Sequence, residues 1–160
     1  MSFLHGIVSL VFSSYLMFYL PLTCGETNTS LEIFLVSNSC GYFLYDFIAM
    51  AYFKLLDKAM CFHHFICITG MWIALASGIS GNYISAGIFI SEVSNPFMHA
   101  RIILKHFELR YTKAYEFSEI CYIILFIFGR IIIGTGVVLR TITCSENNLF
   151  VRLTCLGLAF

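Results

Sequence analysis

Two adjacent histidines, His63 and His64, lie in a stretch with no Asp, Glu, Lys or Arg from Ala59 to Gly81. An imidazole titrates near neutrality. It can take a proton from an amine or hydroxyl, or carry an acyl group itself. A neighbouring carboxylate would fix its tautomer. Asp46, deep in the preceding apolar stretch, and Glu92, in the following one, are the carboxylates to consider. Glu92, Asn95 and His99 are spaced i, i+3, i+7 and share one face of a helix. Ionisable groups in such surroundings cost free energy and mark a functional site by default. The plainer alternative is a hydrogen-bonded seam that only packs helices, with Asp46 or Glu92 neutral. Neighbours on a helix point about 100° apart, so one histidine acts while the other orients or packs. Arg130 has two roles open to it: pairing with one of the acids, or anchoring on backbone carbonyls. Cys61, His64 and Cys67 fall at i, i+3, i+6, a poor tetrahedral set for zinc, and no metal or cofactor is assigned. Five histidines, two of them adjacent, are too few for a di-iron membrane oxygenase.

The elements that must position these residues are membrane helices. The 160 residues are 59% hydrophobic and 11% charged, with zero formal net charge and a mean hydropathy of +0.88. That balance describes a multipass membrane protein and leaves no basic face for nucleic acid. Apolar runs fall at Phe3–Leu22, Leu31–Phe53, Ala59–Ser80, Tyr83–Leu104 and Phe117–Leu139. A sixth, Leu149–Phe160, covers roughly half a bilayer core. The expected fold is an all-α multipass transmembrane bundle of five full spans and an incomplete sixth. It forms one domain over residues 1–160, shortened at both ends. Gly81-Asn82 is read as a tight turn. Pro96 removes a backbone donor and loosens the helix near Glu92, where a head group could enter. Ala74-x3-Gly78 permits close helix contact within the bundle, and self-association is a further use of it.

The connections after the second and fourth runs hold Lys54, Lys58, Lys105, Arg110 and Lys113, whereas those after the first and third hold no Lys or Arg. The positive-inside rule puts the basic connections in the cytosol. Cys24, Asn28 and Cys144 then face the lumen or exterior. His63 and His64 lie about 5–8 Å into the membrane from the cytosolic side. Asp46 and Glu92 reach overlapping depths. Of seven cysteines, only Cys24 and Cys144 lie outside the runs. Both face the oxidising side, and a bridge between them requires Cα atoms closer than about 7 Å. The sequon Asn28-Thr29-Ser30 faces the same way but lies close to the membrane.

The pair His63-His64, followed by Glu92-Val93-Ser94-Asn95-Pro96-Phe97, resembles the TLC domain, the homology region of TRAM, Lag1 and CLN8 proteins. Gly41-Tyr42-Phe43-Leu44-Tyr45-Asp46 and Phe126-Ile127-Phe128-Gly129-Arg130-Ile131 are similar to the same family. Order and spacing most resemble the small TLC domain-containing proteins of the transmembrane protein 136 type. The resemblance implies a further helix before Leu4-His5-Gly6 and a completed last helix. The family includes ceramide synthases, which move an acyl group from acyl-CoA to a sphingoid base. Their motif is a histidine pair followed by His-Asp-x-Ser-Asp. By resemblance Glu92 stands at the first Asp, Ser94 at the serine, and Asn95 at the second Asp with its charge removed.

These readings assign His63, His64 and Glu92 to catalysis, and Asp46, Ser94, Asn95, His99 and Arg130 to substrate binding. The expected role is membrane lipid homeostasis, by binding or modifying a lipid at an intramembrane site. An acyl-CoA-dependent acyltransferase is one alternative, with the basic connection Lys105–Lys113 holding the CoA phosphates. A non-enzymatic lipid-binding or trafficking adaptor is another, and a proton or ion pathway a third. The partners are then membrane lipid and acyl-CoA, in the endoplasmic reticulum or the plasma membrane.

Overall fold

A computed structural model describes residues 2–159. They form eight α-helices and one π-helical segment. The helices are α1 (Ser2–Tyr19), α2 (Ser30–Tyr52), α3 (Lys58–Ser77), α4 (Gly81–Glu92), α5 (Asn95–His106), α6 (Lys113–Phe126), α7 (Gly134–Thr143) and α8 (Leu149–Ala159). The π segment, Ile127–Ile133, joins α6 to α7. Among the described residues the only β pairing is an isolated bridge between Thr27 and Ile79.

Polar caps set the helix starts. Thr29 and Glu32 form a capping box at α2: Thr29 N–H donates to Glu32 Oε2 at 2.7 Å, and Glu32 N–H donates to Thr29 Oγ1 at 3.3 Å. The box satisfies two amide donors that the helix itself cannot. Glu32, an acid at the edge of an apolar run, is buried because of it. Asp57 caps α3 through Met60 N–H at 2.7 Å. Gly78 ends α3 in the left-handed conformation, at φ +71°. The turn therefore falls at Gly78–Ser80, and Gly81-Asn82, expected as the turn, already belongs to α4. Gly78 serves as a stop rather than as a helix-contact residue.

Three helices are long and apolar enough to cross a membrane: Ser30–Tyr52, Lys58–Ser77 and the continuous Lys113–Thr143. Phe3–Tyr19 is a shorter apolar helix. The run expected as a fourth span loosened near Glu92 divides at Val93-Ser94 into α4 and α5, with Pro96 in the first turn of α5. Proline is accepted there because its missing N–H is one of the donors a helix start leaves unpaired.

The bundle is apolar outside and partly polar inside. Val11, Trp72 and Ile124 are about 60% exposed or more, while Ser9, Ser13, Ser39 and Ser85 are at most 1% exposed. Lipid-facing surface explains this distribution, since helices in a bilayer associate through small and hydrogen-bonding residues. A small apolar core of Ala86, Phe89, Ile90 and Val137 joins α4 to α7.

One end of the bundle is stitched together. A disulfide links Cys24 to Cys144, with Cα atoms 5.6 Å apart. Asn28 Nδ2 donates to Ala74 O at 2.8 Å, and Asn28 Oδ1 accepts from Gly81 N–H at 2.7 Å. Ser80 Oγ donates to Asn147 Oδ1 at 2.6 Å, and Asn82 Nδ2 to Thr23 O at 2.6 Å. The opposite end carries the connections between α2 and α3 and between α5 and α6, with Lys54, Lys58, Lys105, Arg110 and Lys113.

Candidate functional site

Helix α3 delivers His63 and His64 in different directions. His64 is 2% exposed, and both of its ring nitrogens are engaged. Nδ1 donates to the Met60 carbonyl oxygen, one turn back, at 2.9 Å. Nε2 lies 3.0 Å from Asp46 Oδ2 on α2. Because a carbonyl only accepts, Nδ1 must carry hydrogen. The contact with Asp46 then holds one proton in either of two arrangements. An imidazolium donates to a carboxylate, or a carboxylic acid donates to a neutral imidazole. Phe43 and Phe47 pack beside the His64 ring, with centroids 5.4 and 6.0 Å away.

His63 is half-buried and differently placed. Its ring stands at 86° to that of His64, with centroids 5.8 Å apart. Its nearest polar partner is the Cys67 thiol, 3.7 Å from Nε2. A thiol is a weak partner, so the His63 ring stays chemically open while that of His64 is committed. Cys67 and His64 do not converge as zinc ligands would, since His64 spends its nitrogens on Met60 and Asp46.

Glu92 and Asn95 meet across the break between α4 and α5, where Asn95 Nδ2 donates to Glu92 Oε2 at 2.8 Å. Glu92 is buried against α1: a methyl group on Gly6 would stand 3.0 Å from its Oε2. Among the described residues no hydrogen bond or ion pair joins Glu92 to either histidine. Of the two carboxylates considered, the one on the imidazole is Asp46 and not Glu92. Depth along the helix brought Glu92 near the site, but its direction turns it toward α1. Ser94, in the break itself, is 1% exposed and its hydroxyl has no partner. His99 leaves the group, its ring edge-on to Phe3 at 5.8 Å. The break after Glu92 separates it from the face it was expected to share.

Arg130 sits in the π segment and donates from Nη2 to the Ser91 carbonyl oxygen at 3.4 Å. Its guanidinium lies 5.3 Å from the Phe126 ring. It forms no ion pair among the described residues, so it takes the carbonyl-anchoring course. Its charge acts on His63, Cys67 and Glu92. The π segment packs on α4 at this point, and a methyl on Gly129 would stand 3.1 Å from Val93 Cγ1. Single π turns inside longer helices are frequent at functional sites.

Sequence reasoning missed the ion pair of Arg101 with Glu119 at 3.3 Å, which ties α5 to α6, with Tyr122 under the guanidinium. Their opposite charges near the same end of adjacent runs were the available signal. It also missed His5, which stacks on Tyr42 at 3.9 Å and lies 3.2 Å from Ser9 Oγ. Lys113 pairs with Glu116 at 3.1 Å on the surface.

An all-helical bundle with apolar surface and a buried histidine–carboxylate contact defines a class of membrane protein. The family model for the TLC domain matches residues 1–158, and the chain belongs to that family. No solved structure matches the chain.

Proposed function

We propose that this TLC-domain protein binds or modifies a membrane lipid at the site around His63, and so acts in membrane lipid homeostasis. The observation that carries this reading is the division of labour in the histidine pair. His64 is locked by Met60 and Asp46, which leaves the half-buried His63 ring beside it without an oxygen partner. A reactive or ligand-binding imidazole on a fixed base is what such a site requires. Catalysis and substrate binding are then divided differently from the sequence expectation, with Asp46 and Glu92 exchanging roles. His63 acts, His64 and Asp46 orient it, and Glu92, Ser94, Asn95 and Arg130 receive the head group. His99 lies outside this group.

In this reading the spans are α1, α2, α3, α4 with α5, α6 through α7, and the start of a sixth in α8. The Cys24–Cys144 disulfide supports an oxidising compartment at that end, and the basic connections then face the cytosol. The endoplasmic reticulum and the plasma membrane both provide this arrangement. Within the family the chain fits the small proteins of the transmembrane protein 136 type.

The open His63 ring also favours a second reading, acyl-CoA-dependent acyl transfer. His63 would take the proton of an amine or hydroxyl acceptor as that atom attacks the thioester carbonyl. It would then return the proton to the departing CoA thiolate. Lipidomic comparison of cells carrying the wild-type chain or His63→Ala is the test. A changed lipid profile with unchanged protein level supports the proposal. An unchanged profile, with no lipid retained by the purified wild-type protein, rejects it.

A further inference from the structure

Glu92 and Arg130 carry opposite charges on packed elements, yet they do not pair. Each is held by a neutral group instead: Glu92 by the Asn95 amide at 2.8 Å, Arg130 by the Ser91 carbonyl at 3.4 Å. Glu92 is 9% exposed. Arg130 nevertheless bonds the carbonyl of the residue directly before Glu92. Opposite charges in apolar surroundings attract strongly. Here Ser91 holds Arg130 before the helix break, and Asn95 holds Glu92 from beyond it.

The break itself holds a further unused donor. The Ser94 hydroxyl is 1% exposed and unpartnered. A buried hydroxyl left in that state costs free energy that a ligand would recover. Ser94 makes no capping bond to α5, so its hydroxyl is not spent on the start of that helix. Arg130 uses one of its donors in a long hydrogen bond and keeps the rest.

We infer that Glu92 and Arg130 are the two poles of a receptor for a zwitterionic lipid head group, with phosphate on Arg130 and ammonium on Glu92. This rests on the lipid-binding reading above and names the class of lipid. The planar guanidinium suits two phosphate oxygens at once. The Ser94 hydroxyl supplies a neutral donor to the same phosphate. A lipid with phosphate alone would leave the buried Glu92 carboxylate facing an anion. A lipid with ammonium alone would leave Arg130 unanswered. Two poles of opposite sign therefore select against both singly charged classes.

The test uses the purified full chain, equilibrated in mixed micelles with equal amounts of phosphatidylcholine, phosphatidylethanolamine, phosphatidic acid and sphingosine. Retained lipid is measured by native mass spectrometry. Wild type should hold the two zwitterionic lipids about tenfold over either singly charged one, the usual weight of one charged hydrogen bond. Glu92→Gln should move the preference toward phosphatidic acid, and Arg130→Gln toward sphingosine. Shifts in opposite directions cannot come from general misfolding. If both variants shift the same way, or neither shifts, the inference is wrong. The same holds if wild type keeps singly charged lipid equally well. Lipid retained without sorting by charge overturns only this inference, whereas no lipid retained at all also removes the reading beneath it.

Discussion

Asp46 and His64 stand on adjacent helices with Oδ2 and Nε2 3.0 Å apart, and one shared proton joins them. The other imidazole nitrogen is fixed by Met60. Asp46→Ala removes the only partner that Nε2 has among the described residues. Asp46→Asn keeps one, because its amide can donate to a neutral imidazole. Hydrogen bonds between membrane helices average about 0.6 kcal/mol and reach about 1.7. Asp46→Ala should therefore cost about 1–2 kcal/mol, toward the upper limit, because it strands a buried nitrogen. Asp46→Asn should cost about half as much. Thermal unfolding of the purified variants in detergent gives the order, and equal losses would contradict the shared-proton geometry.

The two histidines should separate by phenotype. His64→Ala removes a fully buried side chain with two hydrogen bonds and should lower stability by about 2 kcal/mol. His63→Ala removes a half-buried ring with one weak contact, so unfolding should shift little while lipid handling changes. Parallel melting curves and lipid extraction would show the split. A large stability loss in His63→Ala would place that ring in the packing instead.

Gly6 and Gly136 predict opposite outcomes for the same substitution. Gly6→Ala puts a methyl 3.0 Å from Glu92 Oε2, whereas a methyl on Gly136 meets nothing within 4 Å. Gly6→Ala should displace the carboxylate and reduce lipid retention several-fold, and Gly136→Ala should behave as wild type. Retained lipid per mole of protein distinguishes them. Equal retention in both variants would mean that Glu92 takes no part.

The disulfide should resist thiol labelling until reduction. Exposed Cys61 reacts with a maleimide first, and Cys24 and Cys144 only after a reductant is added. Its loop of 120 residues is long. Membrane spans already limit the unfolded chain, so Cys24→Ser should cost about 2 kcal/mol, the low end of the usual range. Labelling of Cys24 without reductant would contradict the bridge.

Asn28 should carry no glycan although it heads a sequon. Its amide is already used, joining Ala74 O to Gly81 N–H. Glycosidase treatment should leave gel mobility unchanged, and Ser30→Ala should migrate as wild type. A mobility shift on either would show the amide free during synthesis.

Helix content and the polar residues of the site were legible because apolar runs and stranded ionisable groups are local features. The partnership of a carboxylate with the histidine pair was legible in kind, but the choice of Asp46 over Glu92 was not. Depth follows from counting along a helix, whereas direction depends on which neighbour the helix packs against, and α1 claims Glu92. Pro96 announced a disturbance near Glu92, yet not that α5 would start afresh at Asn95. Nothing in Phe126-Ile127-Phe128-Gly129-Arg130-Ile131 announces a π turn. The π segment brings Gly129 against Val93, a contact between residues far apart in the chain.

The π segment also has a bearing on chain length. A π turn accommodates a surplus residue without rotating the helix on either side of it. Removing one residue, for example Ile132, should let residues 113–143 close into a regular α-helix. Val137 would still pack on α4 and Cys144 would still reach Cys24. What would change is the aim of Arg130, which the π turn now directs at Ser91. A one-residue deletion there is thus a mutation of geometry alone. It would retune the charge beside His63 while every side chain around the site remains.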